Sequence, residues 1–334
     1  MQIDLVPVWT VILGISVFMY VFLDGFDLGV GILFLSAAGD AERTLMMNSV
    51  APVWDGNETW LIMGGMGLLA AFPLAFAVVM PAVYFPILLM LLGLIFRGVA
   101  FEFRLKSTER RHWWDRAFFM GSVVATFFQG VVLGAYVEGF PVVGRAFAGG
   151  SFDWVRPFPL ATGVGLLFGY TMLGAAWLVM KTEGELQHWA RGRARIALYG
   201  VLAFIAMVSL WTPFVQPRIA TRWFAWPNIA YFAPVPIITL AIGWATWNSL
   251  RKGGEYVPFI GAMGLFAMCY LGLGISLFPY VIPYSVTLWD AASSPSSQAF
   301  LLIGTLFLLP LVFMYTGWSY YVFRGKVRGD LAYH

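Results

Sequence analysis

The chain has 334 residues, 60% of them hydrophobic and only 11% charged, against about 25% charged in ordinary soluble domains. With a mean hydropathy of +0.79, this excess is too large for one buried core; it excludes a soluble enzyme and a disordered chain, and the single cysteine, Cys269, excludes a disulfide scaffold. The net charge of +3 and pI near 9.0 would suit nucleic acid, but the basic residues lie in short segments between apolar runs, so no nucleic-acid partner is expected.

Nine apolar runs follow in order, at about 8–35, 51–72, 74–101, 117–137, 158–180, 196–214, 228–250, 257–279 and 298–323. Each has about 20 residues or more, enough for a helix to cross a bilayer. Transmembrane strands would be about 9–11 residues long and would alternate in polarity; these runs do neither. The expected fold is an all-α polytopic membrane protein, a single integral membrane domain over 1–334 with nine transmembrane helices. The first run lacks a positive leader and outlasts the apolar stretch of a signal peptide, so it reads as a mature span.

The first run contains Asp24-Gly25-Phe26-Asp27-Leu28-Gly29. Asp24 and Asp27 are spaced i, i+3 and share a helix face. Gly25 and Gly29 form a small-xxx-small pair that admits a close neighbouring helix. The second run opens with Trp54-Asp55-Gly56-Asn57-Glu58-Thr59-Trp60, again with two acids at i, i+3, and the third ends with Phe96-Arg97-Gly98-Val99-Ala100-Phe101-Glu102. The longest connections are expected at 138–157, 181–195 and 280–297.

Nine crossings place the two ends on opposite sides. One side then holds Arg43, five basic residues between Arg104 and Arg116, Lys181, Arg191, Arg193, Arg195, Arg251, Lys252, Arg324, Lys326 and Arg328. That is 15 of the 20 basic residues, against four on the other side and Arg97 within a span. By the positive-inside rule the N-terminus is outside and the C-terminus cytoplasmic. Asp27 then lies about eight residues, roughly 12 Å, from the inner end of its helix. Asp55, Glu58 and Arg97 also fall in the inner half, so all five charged groups are expected to cluster there.

A charge in hydrocarbon costs a few kcal/mol even on permissive scales, so each one needs a reason. One reading is a buried ion-pair network in which Arg97 holds three helices in register. The other is a proton or cation path, since four acids against one arginine require some carboxyls to hold a proton. The three histidines, His112, His188 and His334, all lie outside the runs. A histidine-ligated haem within this chain is therefore not expected, and the single cysteine leaves no structural zinc or iron–sulfur site, so no metal or cofactor is expected in this chain.

These segments resemble subunit II of the cytochrome bd-type quinol oxidases. The likeness is carried by Asp24-Gly-Phe-Asp-Leu-Gly-Val-Gly31, Ala51-Pro-Val-Trp-Asp-Gly-Asn-Glu58, the stretch around Arg97 and Arg104, and Phe278-Pro-Tyr-Val-Ile-Pro283 with Leu288-Trp-Asp-Ala-Ala-Ser-Ser-Pro295. It implies two four-helix bundles plus one peripheral helix, and a pseudo-symmetric heterodimer with a haem-bearing subunit I. That partner would hold two b-type haems plus a d-type or third b-type haem, and the quinol site. It further implies a bacterial cytoplasmic-membrane location, and it leaves room for a single-span accessory subunit and a structural quinone. The compact length and short loops point toward the cyanide-insensitive branch. Asp24, Asp27, Asp55 and Arg97 match the family's embedded charges, with Glu58, Trp54 and Asn57 in the same motif. Together these residues would form a proton path toward subunit I, and Trp60 could line an oxygen route. A cation-coupled secondary transporter, with Pro81 and Pro86 interrupting the third run, and a purely structural scaffold are the alternatives.

Overall fold

The structure, a computed structural model, describes residues 4–107 and 109–327; Arg328, counted on the basic side, and His334, beyond the last run, lie outside the described residues. The chain runs through α1 (Val6–Leu33), a 3-10 turn, α2 (Asp40–Val50), α3 (Trp54–Ala71), α4 (Pro73–Ala82), α5 (Tyr84–Lys106) and α6 (Arg111–Glu138). After the hairpin β1 (Val142–Val143) and β2 (Ala146–Phe147) come α7 (Pro157–Lys181), α8 (Gly184–Val215), α9 (Pro217–Phe224), α10 (Asn228–Phe232), α11 (Pro234–Lys252) and α12 (Val257–Leu277). The hairpin β3 (Tyr280–Ile282) and β4 (Val286–Thr287), the turn α13 (Leu288–Ala291) and α14 (Pro295–Val322) complete the chain.

Eight helices are long and apolar enough to cross a membrane among the described residues. The run at 51–72 is not among them, because the 18-residue α3 begins with the polar turn Trp54-Asp55-Gly56-Asn57-Glu58-Thr59. The run at 74–101 is corrected: it is not one helix. It breaks at Val83 into α4 and α5. Pro86 explains the break, since a proline ring clashes with the carbonyl four residues earlier, here that of Ala82, and so cannot continue an existing helix. In the first turn of a new helix its missing N–H is harmless. The segment expected as a connection at 181–195 is corrected too, because α8 starts at Gly184 and is 32 residues long. The amphipathic helix α2 has no counterpart among the expected runs.

Helices α1, α3, α5 and α6 form one group, and α7, α8, α11 and α12 a second; they join where α7 packs on α1 and α6. The join is a backbone contact. A Cβ on Gly29 would sit 1.8 Å from the Tyr170 carbonyl oxygen, and one on Gly174 would sit 2.3 Å from the carbonyl carbon of Gly29. The Gly25–Gly29 face is thus buried against protein, as its spacing suggests. One apolar core surrounds the middle and second half of α1; another joins the start of α1 to α4, Phe140 and the β3–β4 segment.

Candidate functional site

Asp24 and Asp27 project from α1 into the first group, where both are fully buried. Arg97, fully buried on α5, donates from Nη1 to Asp24 Oδ1 at 2.5 Å and from Nη2 to Glu58 Oε1 on α3. One guanidinium therefore ties three helices together. It also lies 5.9 Å from the Trp54 ring centroid, and that ring stacks on Phe101 at 4.8 Å. Helix α6 backs α5 at this level, because a Cβ on Gly121 would fall 2.8 Å from the Arg97 backbone nitrogen.

Asn57 joins the second aspartate to the cluster. Its side-chain amide donates to Asp27 Oδ2 at 2.7 Å and to the Leu23 carbonyl at 3.3 Å. Its Oδ1 accepts from the Tyr320 hydroxyl on α14 at 3.0 Å. Each aspartate keeps one oxygen free: Asp24 Oδ2 and Asp27 Oδ1 are buried and have no hydrogen-bond partner. Tyr20, one turn before Asp24, is buried as well, and its hydroxyl also has no hydrogen-bond partner. Glu58 is only half-buried, its side chain 27% accessible, so it connects the cluster to the surface.

Four of the five expected charged residues therefore meet: Asp24, Asp27, Glu58 and Arg97. Asp55 is corrected as a member of the buried network: it is exposed, one turn before Glu58 on α3, and the ion pairs of Arg97 are with Asp24 and Glu58. The buried face of α3 is set by Asn57 and Trp60, and a residue two positions before Asn57 is turned about 200° away at 100° per residue. Trp54 and Asn57 belong to the cluster. Trp60 is fully buried and packs on Phe313 of α14, with ring centroids 4.9 Å apart.

Compared with known proteins, residues 5–323 match the family of the cytochrome bd terminal oxidase subunit II. The chain belongs to that family. It is 30% identical to the cytochrome bd-I ubiquinol oxidase subunit 2 of Escherichia coli K12, covering 97% of this chain and 95% of the relative. It is 32% identical to the cytochrome bd ubiquinol oxidase subunit 2 of Bacillus subtilis 168, covering 96% of each. Its fold is similar to a bd oxidase chain from Geobacillus thermodenitrificans, with a TM-score of 0.71 at 18% identity over 94% of this chain and 99% of that one. The protein is thus a subunit of a terminal oxidase and a multi-pass protein of the bacterial cytoplasmic membrane.

In this subunit II a second buried arginine lies two turns beyond Arg97. Arg104 was assigned above to a connection, yet it is fully buried in the last turn of α5. It donates to Asp115 at 2.6 Å, to Asp40 at 2.6 Å and to Thr44 at 3.2 Å. Arg43 and Arg111 complete the network, on Asp115 at 3.2 Å and Asp40 at 2.6 Å. This network fastens α2 to α5 and α6, at the same end of the group as Asp27. The seven-residue spacing of Arg97 and Arg104, two turns on one face, is the signal that could have revealed it. His112 lies in the first turn of α6 and His188 in the second turn of α8.

Proposed function

We propose that this chain is the haem-free subunit II of a quinol:O2 oxidoreductase, paired with a haem-bearing subunit I, and that its acid cluster takes up protons for water formation from the cytoplasm. In this reading α3 is the ninth crossing, the N-terminus is outside and the C-terminus cytoplasmic. Support comes from the ubiquinol oxidase subunits that the chain resembles and from the basic residues gathered at one end of the helices. Subunit I would carry the haems and the quinol site.

One observation carries the proton path: Asp24 and Asp27 each present a buried oxygen that is not hydrogen-bonded, beside a guanidinium and behind a half-buried glutamate. Glu58 receives a proton at the surface. Arg97 stabilises the carboxylate that remains ionised, and the free oxygens of Asp24 and Asp27 hold the transferred proton. Asp55, exposed at the start of α3, gathers protons at the mouth. The Arg97 ion pairs across α1, α3 and α5 also support a scaffold role, and the same experiment separates the two. Asp27→Asn is expected to slow quinol-driven O2 consumption by about tenfold or more, with haem spectrum and subunit ratio unchanged. Asp55→Asn is expected to slow it less. Normal turnover in a well-assembled Asp27→Asn complex refutes the path and leaves the scaffold.

A further inference from the structure

Helices α8 and α11 run antiparallel, and three contacts fix their register. Arg191 donates to the Gly254 carbonyl at 2.9 Å, the Trp247 indole donates to the Tyr199 hydroxyl at 2.8 Å, and Gly243 faces Leu202. Between the first two, the register sets Arg195 opposite Arg251. Two guanidinium-bearing residues are thus set at one level of the seam, and neither has a carboxylate partner among the described residues. The nearest acid along the seam is Glu255, already engaged by Lys326 at 2.8 Å and Gln187 at 2.9 Å. Arg195 Nε is buried and lacks an acceptor. Facing like charges with an unmet donor call for an anion.

The position of the seam narrows the choice of anion. Residues 184–195 of α8 are polar and overshoot the apolar run that starts at 196, so Arg195 marks the bilayer border; Arg251 does the same at the end of α11. The Arg251 guanidinium sits 4.7 Å from the Trp247 ring centroid. Tyr199, whose oxygen already accepts from Trp247, keeps its own O–H to donate. From Arg251 toward the membrane interior the same face of α11 carries Trp247, Trp244 and Leu240 (positions i, i−4, i−7, i−11). Trp244 and Leu240 are 65% and 69% exposed. A cationic pair at the border above an apolar stripe matches a phosphate head joined to an acyl chain.

We infer that the α8–α11 seam binds an anionic phospholipid, its phosphate bridging Arg195 and Arg251 with a hydrogen bond from Tyr199, and its acyl chain lying on Trp244 and Leu240. The test is native mass spectrometry of the whole detergent-purified complex titrated with phosphatidylglycerol or phosphatidylcholine. The unaltered complex is expected to retain phosphatidylglycerol selectively, and inorganic phosphate should not displace it. R195Q/R251Q is expected to weaken that binding about thirtyfold. R195K/R251K, which keeps the charge, should retain most of it, and Arg324→Gln, just after α14 where the guanidinium lies on Tyr321, should change nothing. Unchanged phosphatidylglycerol binding in R195Q/R251Q overturns the site. Equal retention of phosphatidylcholine does so as well, and displacement by inorganic phosphate would make it a site for a free anion. If R195Q/R251Q instead sheds the haem-bearing subunit with its lipid count intact, the seam faces protein and the assignment fails.

Discussion

Helices α7 and α14 are similar in length and both apolar, yet they lie at opposite extremes of burial. The most apolar window of α7 has a mean hydropathy of 1.6 and is 61% buried, whereas that of α14 has 2.2 and is 0% buried. The more hydrophobic helix is the more exposed one. In lipid there is no hydrophobic force between helices, because acyl chains are as apolar as leucine; close packing and polar contacts decide which helix is enclosed. Helix α7 meets α1 backbone to backbone through Gly29 and Gly174. Helix α14 also carries glycines, Gly304 and Gly317, but nothing approaches them.

Polar contacts near its two ends hold α14 instead. At one end Gln298 is buried, donating to the Ser293 carbonyl at 3.0 Å and accepting from Trp9 at 3.2 Å through its backbone. At the other, Tyr320 donates to Asn57, and the segment after the helix is strapped to α7. Lys181 donates to the Phe323 carbonyl and to the Gly325 carbonyl at 2.9 Å. The Val327 amide donates back to the Lys181 carbonyl at 2.8 Å, and Lys326 pairs with Glu255 at 2.8 Å.

The largest effect is expected from breaking the interior. Arg97→Met leaves Asp24 and Glu58 without their counter-charge, which costs about 3–5 kcal/mol for a buried pair. The expected result is a sharp loss of assembled complex and a lower Tm, whereas Asp27→Asn leaves assembly intact. Next comes Gly29→Leu. Its side chain would meet the α7 backbone rather than a movable side chain, so the effect should reach or exceed the upper end of ordinary overpacking, about 3 kcal/mol. Helices α1 and α7 should separate, read as lost crosslinking between cysteines placed on them. An equal effect from Gly304→Leu on α14 would contradict the contrast drawn here.

The smallest effect concerns the strap. The hydrogen bonds from Lys326 and Gln187 hold the Glu255 carboxyl below the usual carboxylate range. A group whose folded-state pKa is depressed stabilises the fold above its unfolded value and loses that contribution as pH falls through the folded value. Hydrogen-exchange protection of the Val327 amide should therefore hold at neutral pH and decline below about pH 4. Glu255→Gln should show the lowered protection already at neutral pH, with little further loss in acid. Protection that does not respond to acid in the unaltered protein would remove Glu255 from the strap.

Much of the buried cluster was legible in the sequence. Asp24 and Asp27 on one face, Arg97 within a span and Asn57 beside Glu58 are each conspicuous in hydrocarbon, where a charge must find a partner. Asp55 was misread because two acids at i, i+3 look equivalent until the buried face of the helix is known, and that face is set by Asn57 and Trp60. Tyr320 could not have been found, since it reaches Asn57 from 263 positions away. Arg104 was obscured by its place near the end of an apolar run, where an arginine ordinarily marks the bilayer border.

The sequence by itself determined the class of molecule and the charges that cannot face lipid, because the cost of polar groups in hydrocarbon is local and adds along the chain. Tertiary structure decided which helices are enclosed, which carboxyl oxygens remain free and which arginines meet across a seam. These depend on glycine-to-backbone contact and on the rotation of each helix about its own axis, and in a membrane hydropathy constrains neither.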